Sequence, residues 1–401
     1  MDIHGYGTFL EEKAKRRVRQ RQKRSSLDTR KWMSTIEDDA LLSQLSLPGT
    51  HDSAAHGSIW PYVSTQTMDM LQQLNAGIRY FDLRCGLRNN TLQMVHGRAL
   101  LGQSLEALLT VMYDWLDKHS SEGLIVQIKQ DRAEEDSTIS FPAAVWATLD
   151  SQPQYWRTFP TTPTLGELRG RIQLFRRFHG PPYRGIDVAR WQDNPSQPFT
   201  IHTWAGLSIT IQDHYRPADP EPLPDFVTNK GSDVSGMLKC AATDPEPSRW
   251  YVNFASAYQF NLYYQITPRQ VAMGGYWDFT WVVGINPRLA QYIKTHSTNR
   301  SSRDGRLSMS TEKRKCRVRY GIVAMDFPEQ VPDLIPAIIA TNFPDKKKRK
   351  NSLAVHLMAL SLSLVFVAGV LLVGIHGPVD RLRCPPFLHA CYPREDTRAG
   401  T

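Results

Sequence analysis

In the segment LSLPGTHDSAAH, residues 45–56, a short apolar run stops at a Pro-Gly pair. His51 and Asp52, an imidazole and a carboxylate, stand side by side just after this pair. A buried strand that ends in a polar pair at a turn is typical of α/β proteins, whose functional groups stand at the carboxyl ends of parallel strands. The same arrangement recurs along the rest of the chain.

Short β-type runs recur through the main body of the chain, and several are separated by helical patterns. The eight runs are LLSQLSL, GIRYFDLR, LQMVHG, GLIVQIKQ, RIQLFRR, LSITIQD, WYVNFAS and YGIVAMDF. Between them, residues 104–119 carry apolar side chains at helical spacing, and residues 286–296 form a shorter helical pattern. Eight strands alternating with helices predict the α/β class and a parallel (β/α)8 barrel of the TIM type.

Polar side chains follow nearly every predicted strand. In chain order they are His51 and Asp52, Asp82 and Arg84, His96, Lys129, Arg176 and Arg177, Asp213 and Tyr215, and Asp326. Each has an ordinary structural role when taken alone. The ends of parallel barrel strands converge on one face, however, so the recurrence favours a shared functional site.

The residue types in this set point to acid–base chemistry on an anionic substrate. Two histidines can divide the duties of general base and general acid, and carboxylates such as Asp52 and Asp326 can orient them. The cations Arg84, Lys129 and Arg177 suit a phosphorylated substrate and the charge of a phosphoryl transition state. Asp213 and Tyr215, which follow the sixth predicted strand, could hold a polyhydroxylated ring.

The ends of the 401-residue chain differ from its middle. The formal charge of +9 is concentrated in basic tracts, one of which, KKKRK, occupies residues 346–350. Residues 352–375 contain no Asp, Glu, Lys or Arg and are long enough to cross a bilayer. Their length favours a single transmembrane helix over a buried core helix, and the basic tract predicts a cytoplasmic catalytic domain.

The predicted organisation has five parts. They are a basic flexible arm at 1–30, a catalytic barrel at 31–344, a polybasic linker at 345–351, the transmembrane helix at 352–375 and a short tail at 376–401. The expected localisation is a membrane, with a single pass near the carboxyl terminus.

Several of these stretches together resemble a known family. LPGTHDS, AGIRYFDLR and MVHG carry the most specific signal, and LIVQIKQ, IQLFRR, ITIQDHY, GINPRLAQYI and IVAMDF follow in order across residues 32–343. The chain resembles the phosphatidylinositol-specific phospholipase C X-domain family, in its bacterial-type, metal-independent branch. The resemblance implies an irregular barrel that cleaves phosphatidylinositol to diacylglycerol and inositol (cyclic) phosphate.

The resemblance also implies roles for the two histidines. His51 matches the general base that deprotonates the inositol 2-hydroxyl, with Asp326 orienting it. His96 matches the general acid that protonates the diacylglycerol oxygen, paired with Asp52.

By the same resemblance, Arg84 matches the arginine that binds the phosphate, with Asp82 beside it. The calcium-dependent branch has a carboxylate where Arg84 stands, and a guanidinium has no acceptor atom for a metal. No metal and no cofactor are therefore expected. The residues that match inositol contacts are Lys129, Arg177, Asp213 and Tyr215, with Arg176 as the alternative to Arg177.

Two other functions remain open at this point. One is a metal-dependent glycerophosphodiester phosphodiesterase or phospholipase D-like barrel, and the other is a catalytically inactive inositol-lipid-binding membrane module. The expected partners are phosphatidylinositol or a related inositol phospholipid and an anionic membrane surface, and no nucleic acid is expected. The sequence leaves the choice between phosphatidylinositol and a glycosylated inositol lipid open.

Overall fold

The structure, a computed structural model, describes residues 27–303 and 318–343. The strands β1 to β16 are Leu47–Thr50, Tyr80–Arg88, Thr91–His96, Ala99–Ser104, Leu124–Gln130, Trp156–Arg157, Ile172–Arg177, Ile186–Asp187, Phe199–His202, Ser208–Gln212, Trp250–Phe254, Gln259–Phe260, Gln265–Ile266, Gly274–Trp277, Thr280–Val283 and Ile322–Met325. The helices α1 to α8 are Met70–Ala76, Leu105–Lys118, Phe141–Asp150, Leu165–Leu168, Leu223–Thr243, Pro268–Met273, Ile285–Arg303 and Leu334–Ala340. Short 3-10 helices span Thr29–Thr35, Leu42–Gln44, Pro153–Tyr155 and Pro328–Gln330.

The centre of the fold is a row of parallel strands in the order β7, β5, β2, β1, β16, β11 and β10. β1 lies between β2 and β16, with Gly49 opposite both Tyr80 and Ala324. The first and last strands in the chain, β1 and β16, are therefore neighbours in the sheet. This arrangement confirms the predicted α/β barrel of the TIM type.

The barrel is irregular at the edge formed by β7. β6 pairs with the start of β7, at Ile172 and Gln173, and β8 pairs with its end, at Phe175 and Arg176. Two very short strands thus share the position of one full strand. At the opposite edge, β9 is antiparallel to β10.

Two of the predicted strands differ from the prediction. LQMVHG is β3, which pairs antiparallel with β2 and with β4 and is not a barrel strand. The reason is that β2 continues to Arg88 and then reverses at Asn89 and Asn90, which have φ angles of 49° and 59°. A two-residue turn with positive φ at both positions matches the twist of a hairpin, and asparagine tolerates it. In LLSQLSL, the strand begins only at Leu47.

The helices follow the apolar patterns. α2 begins after Ser104, whose side chain accepts a hydrogen bond from the Ala107 N–H at 3.2 Å. Leu109, Met112 and Leu116 lie on its buried face, as the spacing in residues 104–119 predicts. α7 likewise covers the pattern of residues 286–296 and continues to Arg303.

The predicted transmembrane localisation requires a correction. In the two described ranges, no helix is long and apolar enough to cross a membrane. The longest helix, α5, is interrupted by charged side chains, namely Asp225, Lys230, Asp233 and Lys239. This finding corrects the prediction of a single-pass membrane protein with a cytoplasmic catalytic domain. The predicted span, the linker, the tail and most of the basic arm lie outside the described residues.

A buried ion pair holds the end of the barrel where the parallel strands begin. Arg79, which precedes β2, donates from Nη2 and Nε to Oε2 of Glu122, at 2.8 Å and 3.2 Å. The guanidinium also stacks over the ring of Trp115, 4.7 Å from its centroid. Both charged side chains are fully buried, so each one depends on the other.

We expect Arg79→Met to lower the free energy of unfolding by about 3–5 kcal/mol, because the Glu122 carboxylate would remain buried without its cation. The double variant Arg79→Met/Glu122→Gln should lose less, since it removes both charges. Arg30→Met, in a mostly exposed pair with Asp28, should change the free energy by about 1 kcal/mol or less. Urea titration of each variant measures these differences. A single variant as stable as the wild type would contradict the role of this pair.

Candidate active site

The first part of the site is His51, which stands directly after β1. Its Nδ1 lies 2.8 Å from Oδ1 of Asp326, at the end of the neighbouring strand β16. The backbone fixes this position, because the His51 N–H donates to the Met325 carbonyl and Gln66 Nε2 donates to the His51 carbonyl. When Nδ1 donates to the carboxylate, Nε2 is left as a proton acceptor.

The second part pairs His96, at the end of β3, with Asp52. His96 Nδ1 lies 2.5 Å from Oδ2 of Asp52, in ion-pair contact rather than in an aligned hydrogen bond. Asp52 has a φ of 39°, a left-handed conformation that aspartate tolerates better than most residues. Its peptide N–H donates to Oδ2 of Asp82 at 3.2 Å, and this hydrogen bond links the segment after β1 to β2.

Arg84 lies between the two carboxylates of this region. Its Nε donates to Oδ2 of Asp82 at 3.1 Å and lies 4.0 Å from Oδ2 of Asp52. The other Asp82 oxygen accepts a hydrogen bond from Gln127 Nε2 at 2.8 Å. The side chain of Arg84 is 16% exposed, whereas both carboxylates are fully buried. The guanidinium is therefore anchored from below and still reaches the opening of the site.

Two further predicted residues lie on β5 and β7, the strands that lie beyond β2 in the row. Lys129, in register with Arg84 across β2 and β5, contacts the carboxylate of Asp131. Arg177, next in the row on β7, lies 3.9 Å from Oδ2 of Asp213. These two cations and Arg84 thus form a band of positive charge across three adjacent strands.

The choice between Arg176 and Arg177 follows from the alternation of side chains along β7. Arg176 is buried, pairs with Asp187 at 2.8 Å and donates from Nε to the Arg184 carbonyl. Arg177 points the other way, toward Asp213. This supports Arg177 as the residue that faces the site.

Tyr215 is held differently from the other predicted residues. Its hydroxyl donates to Oδ1 of Asp193, and its peptide N–H donates to Oδ1 of Asn194. Its ring stacks on Tyr258 at a centroid distance of 6.0 Å. The partners of Tyr215 thus come from two loops, rather than from the strand-end cluster.

Burial sets the protonation of the site. Burial, followed by the charge of Arg84, lowers the pKa of His51 well below 6.5, so the imidazole is neutral at physiological pH. Burial raises the pKa of Asp52, Asp213 and Asp326. For Asp82, burial acts in the same direction, but Arg84 and other nearby cations outweigh it and lower the pKa.

Three residues of the site were missed in the sequence. Asp131 directly follows β5, and a polar residue at the end of a predicted strand is the pattern that identified the other site residues. Trp191 donates from Nε1 to Oδ2 of Asp213 at 2.8 Å and lies 4.2 Å beneath the guanidinium of Arg177, but nothing in the sequence indicated it. Lys230 is a lone charged residue in the buried stripe of α5, and that position was a visible signal.

The carboxylates of the site face cations or histidines. Over the part of the chain that the structure describes, no group of three or more His, Cys, Asp or Glu side chains is arranged to hold a metal ion. Asp82 and Asp52 converge on Arg84, whose guanidinium supplies positive charge at that point. The arrangement can move protons through two imidazoles and can bind an anion between them.

Comparisons with known proteins agree with this architecture. A family model described as phosphatidylinositol-specific phospholipase C, X domain, matches residues 48–178. A 1-phosphatidylinositol phosphodiesterase of Staphylococcus aureus (strain Newman) is 28% identical over 287 residues, which cover 67% of this chain and 85% of that protein. A protein of the same name from Listeria monocytogenes is 29% identical over 320 residues, which cover 77% of this chain and 84% of the Listeria protein.

Solved structures give the same result. A mutant phosphatidylinositol-specific phospholipase C from Staphylococcus aureus superimposes with a TM-score of 0.64 and 25% identity, covering 80% of this chain and all of that one (100%). The enzyme of the same name from Listeria monocytogenes gives a TM-score of 0.55 and 26% identity, with 79% of this chain and 99% of that one covered.

The position of His51 makes its titration a direct test of the site. We expect its imidazole to titrate below 6.5 by NMR, and Arg84→Gln to raise this pKa, because a positive charge next to the protonated ring is removed. Arg88→Gln, a change on the exposed end of the same strand, should leave the titration unchanged. A wild-type His51 pKa above 6.5, or one that does not respond to Arg84→Gln, would contradict the geometry.

Proposed function

Since the chain belongs to the phosphatidylinositol-specific phospholipase C X-domain family, in its bacterial-type branch, we propose that it cleaves phosphatidylinositol to diacylglycerol and inositol (cyclic) phosphate. One observation carries this proposal: two histidines are each held by a buried carboxylate, and Arg84 lies next to one of those carboxylates. An acid and a base around a fixed cation suit phosphodiester cleavage.

The first step uses His51 as the base. Its Nε2 takes the proton of the inositol 2-hydroxyl, and the freed oxygen attacks the phosphorus. The bond between phosphorus and the glycerol oxygen breaks, and His96 gives a proton to that oxygen. The products are diacylglycerol and an inositol 1,2-cyclic phosphate, and at this point His51 is protonated and His96 is neutral.

The second step returns the protons. His96 takes a proton from water, the hydroxide attacks the cyclic phosphate, and the bond from phosphorus to the 2-oxygen breaks. His51 gives its proton back to that oxygen. Both histidines regain their starting states, and inositol 1-phosphate is released. Asp326 and Asp52 hold the Nδ1 atoms throughout, so that the Nε2 atoms carry out the transfers.

Arg84 supplies the positive charge that phosphoryl transfer requires. Its Nε is occupied by Asp82, and its two Nη groups have no hydrogen bond to other described residues. They are available for two oxygens of the phosphate, in the forked contact that a guanidinium makes. No step of this mechanism passes through a metal ion.

The inositol ring is proposed to lie against the band of positive charge. Lys129 and Arg177 suit ring hydroxyls, and Asp213 can accept hydrogen bonds from them. Tyr215, stacked on Tyr258 at the edge of the site, suits packing against one face of the ring. Because Asp131 and Asp213 offset the two cations, this part of the site is suited to an uncharged ring.

The rim of the same barrel face supports a membrane surface as partner. Exposed apolar side chains follow β1 and β11 and line the β14–β15 hairpin, namely Ile59, Trp60, Phe260, Leu262, Tyr263, Tyr276, Phe279 and Trp281. The hairpin belongs to this face because Asn286, just after it, donates to the Asp326 carbonyl at 2.7 Å. An exposed apolar patch around a site for a lipid headgroup fits insertion into the membrane interface.

The contacts do not favour either alternative function. A metal-dependent diesterase needs carboxylates that converge on a cation site, but here Asp82 and Asp52 converge on a guanidinium. A binding module without activity has no need of two histidines oriented by buried carboxylates, because that orientation matters for proton transfer.

We expect His51→Ala and His96→Ala each to lower turnover of phosphatidylinositol by about 10²–10⁴, the usual contribution of a general acid or base. The measurement is release of diacylglycerol from vesicles by the purified variants. His119→Ala, at the far end of α2, is the matched control and should keep full activity. Normal turnover in either site variant would exclude the two-histidine mechanism.

The role of Arg84 predicts activity without divalent ions. Wild-type turnover should survive EGTA, whereas Arg84→Ala should lose orders of magnitude. Arg84→Lys should also be poor, because an ammonium cannot make the forked contact. Arg88→Lys, on the exposed end of the same strand, should behave as the wild type. Loss of wild-type activity in EGTA, with recovery on adding calcium, would refute this assignment.

The apolar rim predicts a difference between lipid surfaces and dispersed substrate. Phe279→Ser combined with Leu262→Ser should lower binding to phosphatidylinositol-containing vesicles by about tenfold or more, because two side chains no longer leave water. Turnover of a short-chain monomeric phosphatidylinositol should be unchanged. Trp204→Ser, at the exposed β9–β10 turn on the opposite end of the barrel, is the control. Equal vesicle binding by all three proteins would exclude the rim as the membrane contact.

A further inference from the structure

Lys230 occupies an unexpected position on α5. It is 1% exposed and lies in the buried stripe of this helix, between the apolar residues Val227 and Val234. A buried ammonium loses its hydration, and this free-energy cost must be offset by contacts within the protein. A buried ammonium at this position therefore indicates a role for Lys230 in the fold or in the site.

Its direct contacts are with the end of β10. Lys230 Nζ donates to Oε1 of Gln212 at 3.1 Å and to the His214 carbonyl at 2.7 Å. These two residues flank Asp213, so the ammonium fixes the backbone on both sides of that carboxylate. Gln212 in turn donates from Nε2 to Oδ1 of Asn253 and to the Phe254 carbonyl on β11. The ring of Phe254 contacts His51 edge-on at a centroid distance of 5.8 Å, so the network ends at His51.

Among the described residues, the direct partners of Lys230 are neutral groups. No carboxylate of the described residues lies within ion-pair distance of Lys230, which leaves its charge uncompensated at close range. The carboxylates that it faces at longer range are Asp213 on β10, Asp233 on α5 and Asp326 on β16. Burial lowers the pKa of Lys230 to about 8, so the group is still charged at physiological pH.

A nearby positive charge would stabilise the carboxylate form of Asp326, which has one buried oxygen without a hydrogen bond in the described ranges. Oδ1 contacts His51, but Oδ2 is buried and has no hydrogen bond to any described residue. A carboxylate with one unsatisfied buried oxygen tends to take up a proton, and it then no longer acts as an anion toward His51. The cations that face it are Arg84 on β2 and Lys230 on α5, while Asp52 and Asp82 repel it.

We propose that Lys230 is a positioning residue, which fixes the carboxyl end of β10 and supplies positive charge that favours the anionic form of Asp326 beside His51. This inference rests on the function proposed above. Lys230 does not contact the substrate and acts through Asp326, His51 and the backbone around Asp213. Its position on a helix, outside the row of strand ends, distinguishes it from the other residues of the site.

Loss of the charge of Lys230 changes the pH dependence of the proposed reaction in one direction. Loss of the ammonium raises the pKa of Asp326, because a cation that favours its anion is gone. It also raises the pKa of His51, because a cation that disfavours the imidazolium is gone. Both changes make the pair hold a proton to higher pH. The acidic limb of the pH profile of kcat/KM should therefore move to higher pH. Arg84 is unchanged in these variants and still lowers the pKa of both His51 and Asp326.

The test compares Lys230→Gln and Lys230→Arg in the full chain. Lys230→Gln keeps a hydrogen-bond donor but loses the charge, so the acidic limb of kcat/KM on phosphatidylinositol should move up by about one pH unit. Lys230→Arg keeps the charge and should leave the limb where it is in the wild type. NMR titration of His51 in the same proteins measures the shift without reference to turnover. Should Lys230→Gln not fold, Lys230→Met provides the uncharged variant.

The outcomes separate this inference from the proposed function. A wild type that does not turn over phosphatidylinositol refutes the function, and the NMR titration then still tests the link between Lys230 and His51. An active wild type whose acidic limb and His51 titration are unchanged by Lys230→Gln overturns the inference alone. Lower stability with an unmoved limb would assign Lys230 a purely structural role and would also overturn it.

Discussion

The contact between Arg84 and the paired carboxylates of Asp82 and Asp52 is the interaction on which the site depends. Asp82 and Arg84 lie on β2, Asp52 follows the adjacent strand β1, and the guanidinium offsets two charges that would repel each other without it. Because Asp52 also holds His96, the position of the proposed acid depends on Arg84. Arg84 also lowers the pKa of His51, so the protonation state of the proposed base depends on Arg84 as well.

Burial makes this site costly to form. The pKa values of Asp52, Asp213 and Asp326 are raised in the folded protein, so folding favours their protonated forms. Their contribution to stability is greatest at low pH and is lost as the pH rises and they ionise. At neutral pH, these carboxylates lower the free energy of unfolding. The burial of apolar side chains in the barrel core must offset this cost.

The sequence was sufficient for the barrel and for most of the strand-end residues, because side chains at the ends of parallel strands follow directly from the strand pattern. It was insufficient where long-range pairing decides. His96 reaches the site on an antiparallel hairpin, and the strand pattern of β3 itself does not distinguish it from a barrel strand, although the Asn89–Asn90 turn before it is a local signal of reversal. Arg177 and Arg176 differ only in the face of β7 they occupy, which the register sets. Trp191 comes from an irregular segment without any pattern, and the single-pass localisation inferred from residues 352–375 required correction.

The proposed mechanism requires a neutral His51 to activate the inositol 2-hydroxyl and His96 to protonate the diacylglycerol oxygen. Phosphatidylinositol cleavage by the purified protein in excess chelator can be followed by ³¹P NMR. The resonance of inositol 1,2-cyclic phosphate should appear first, and inositol 1-phosphate should form from it. Direct formation of inositol 1-phosphate without the cyclic product, or of phosphatidic acid, would contradict this mechanism.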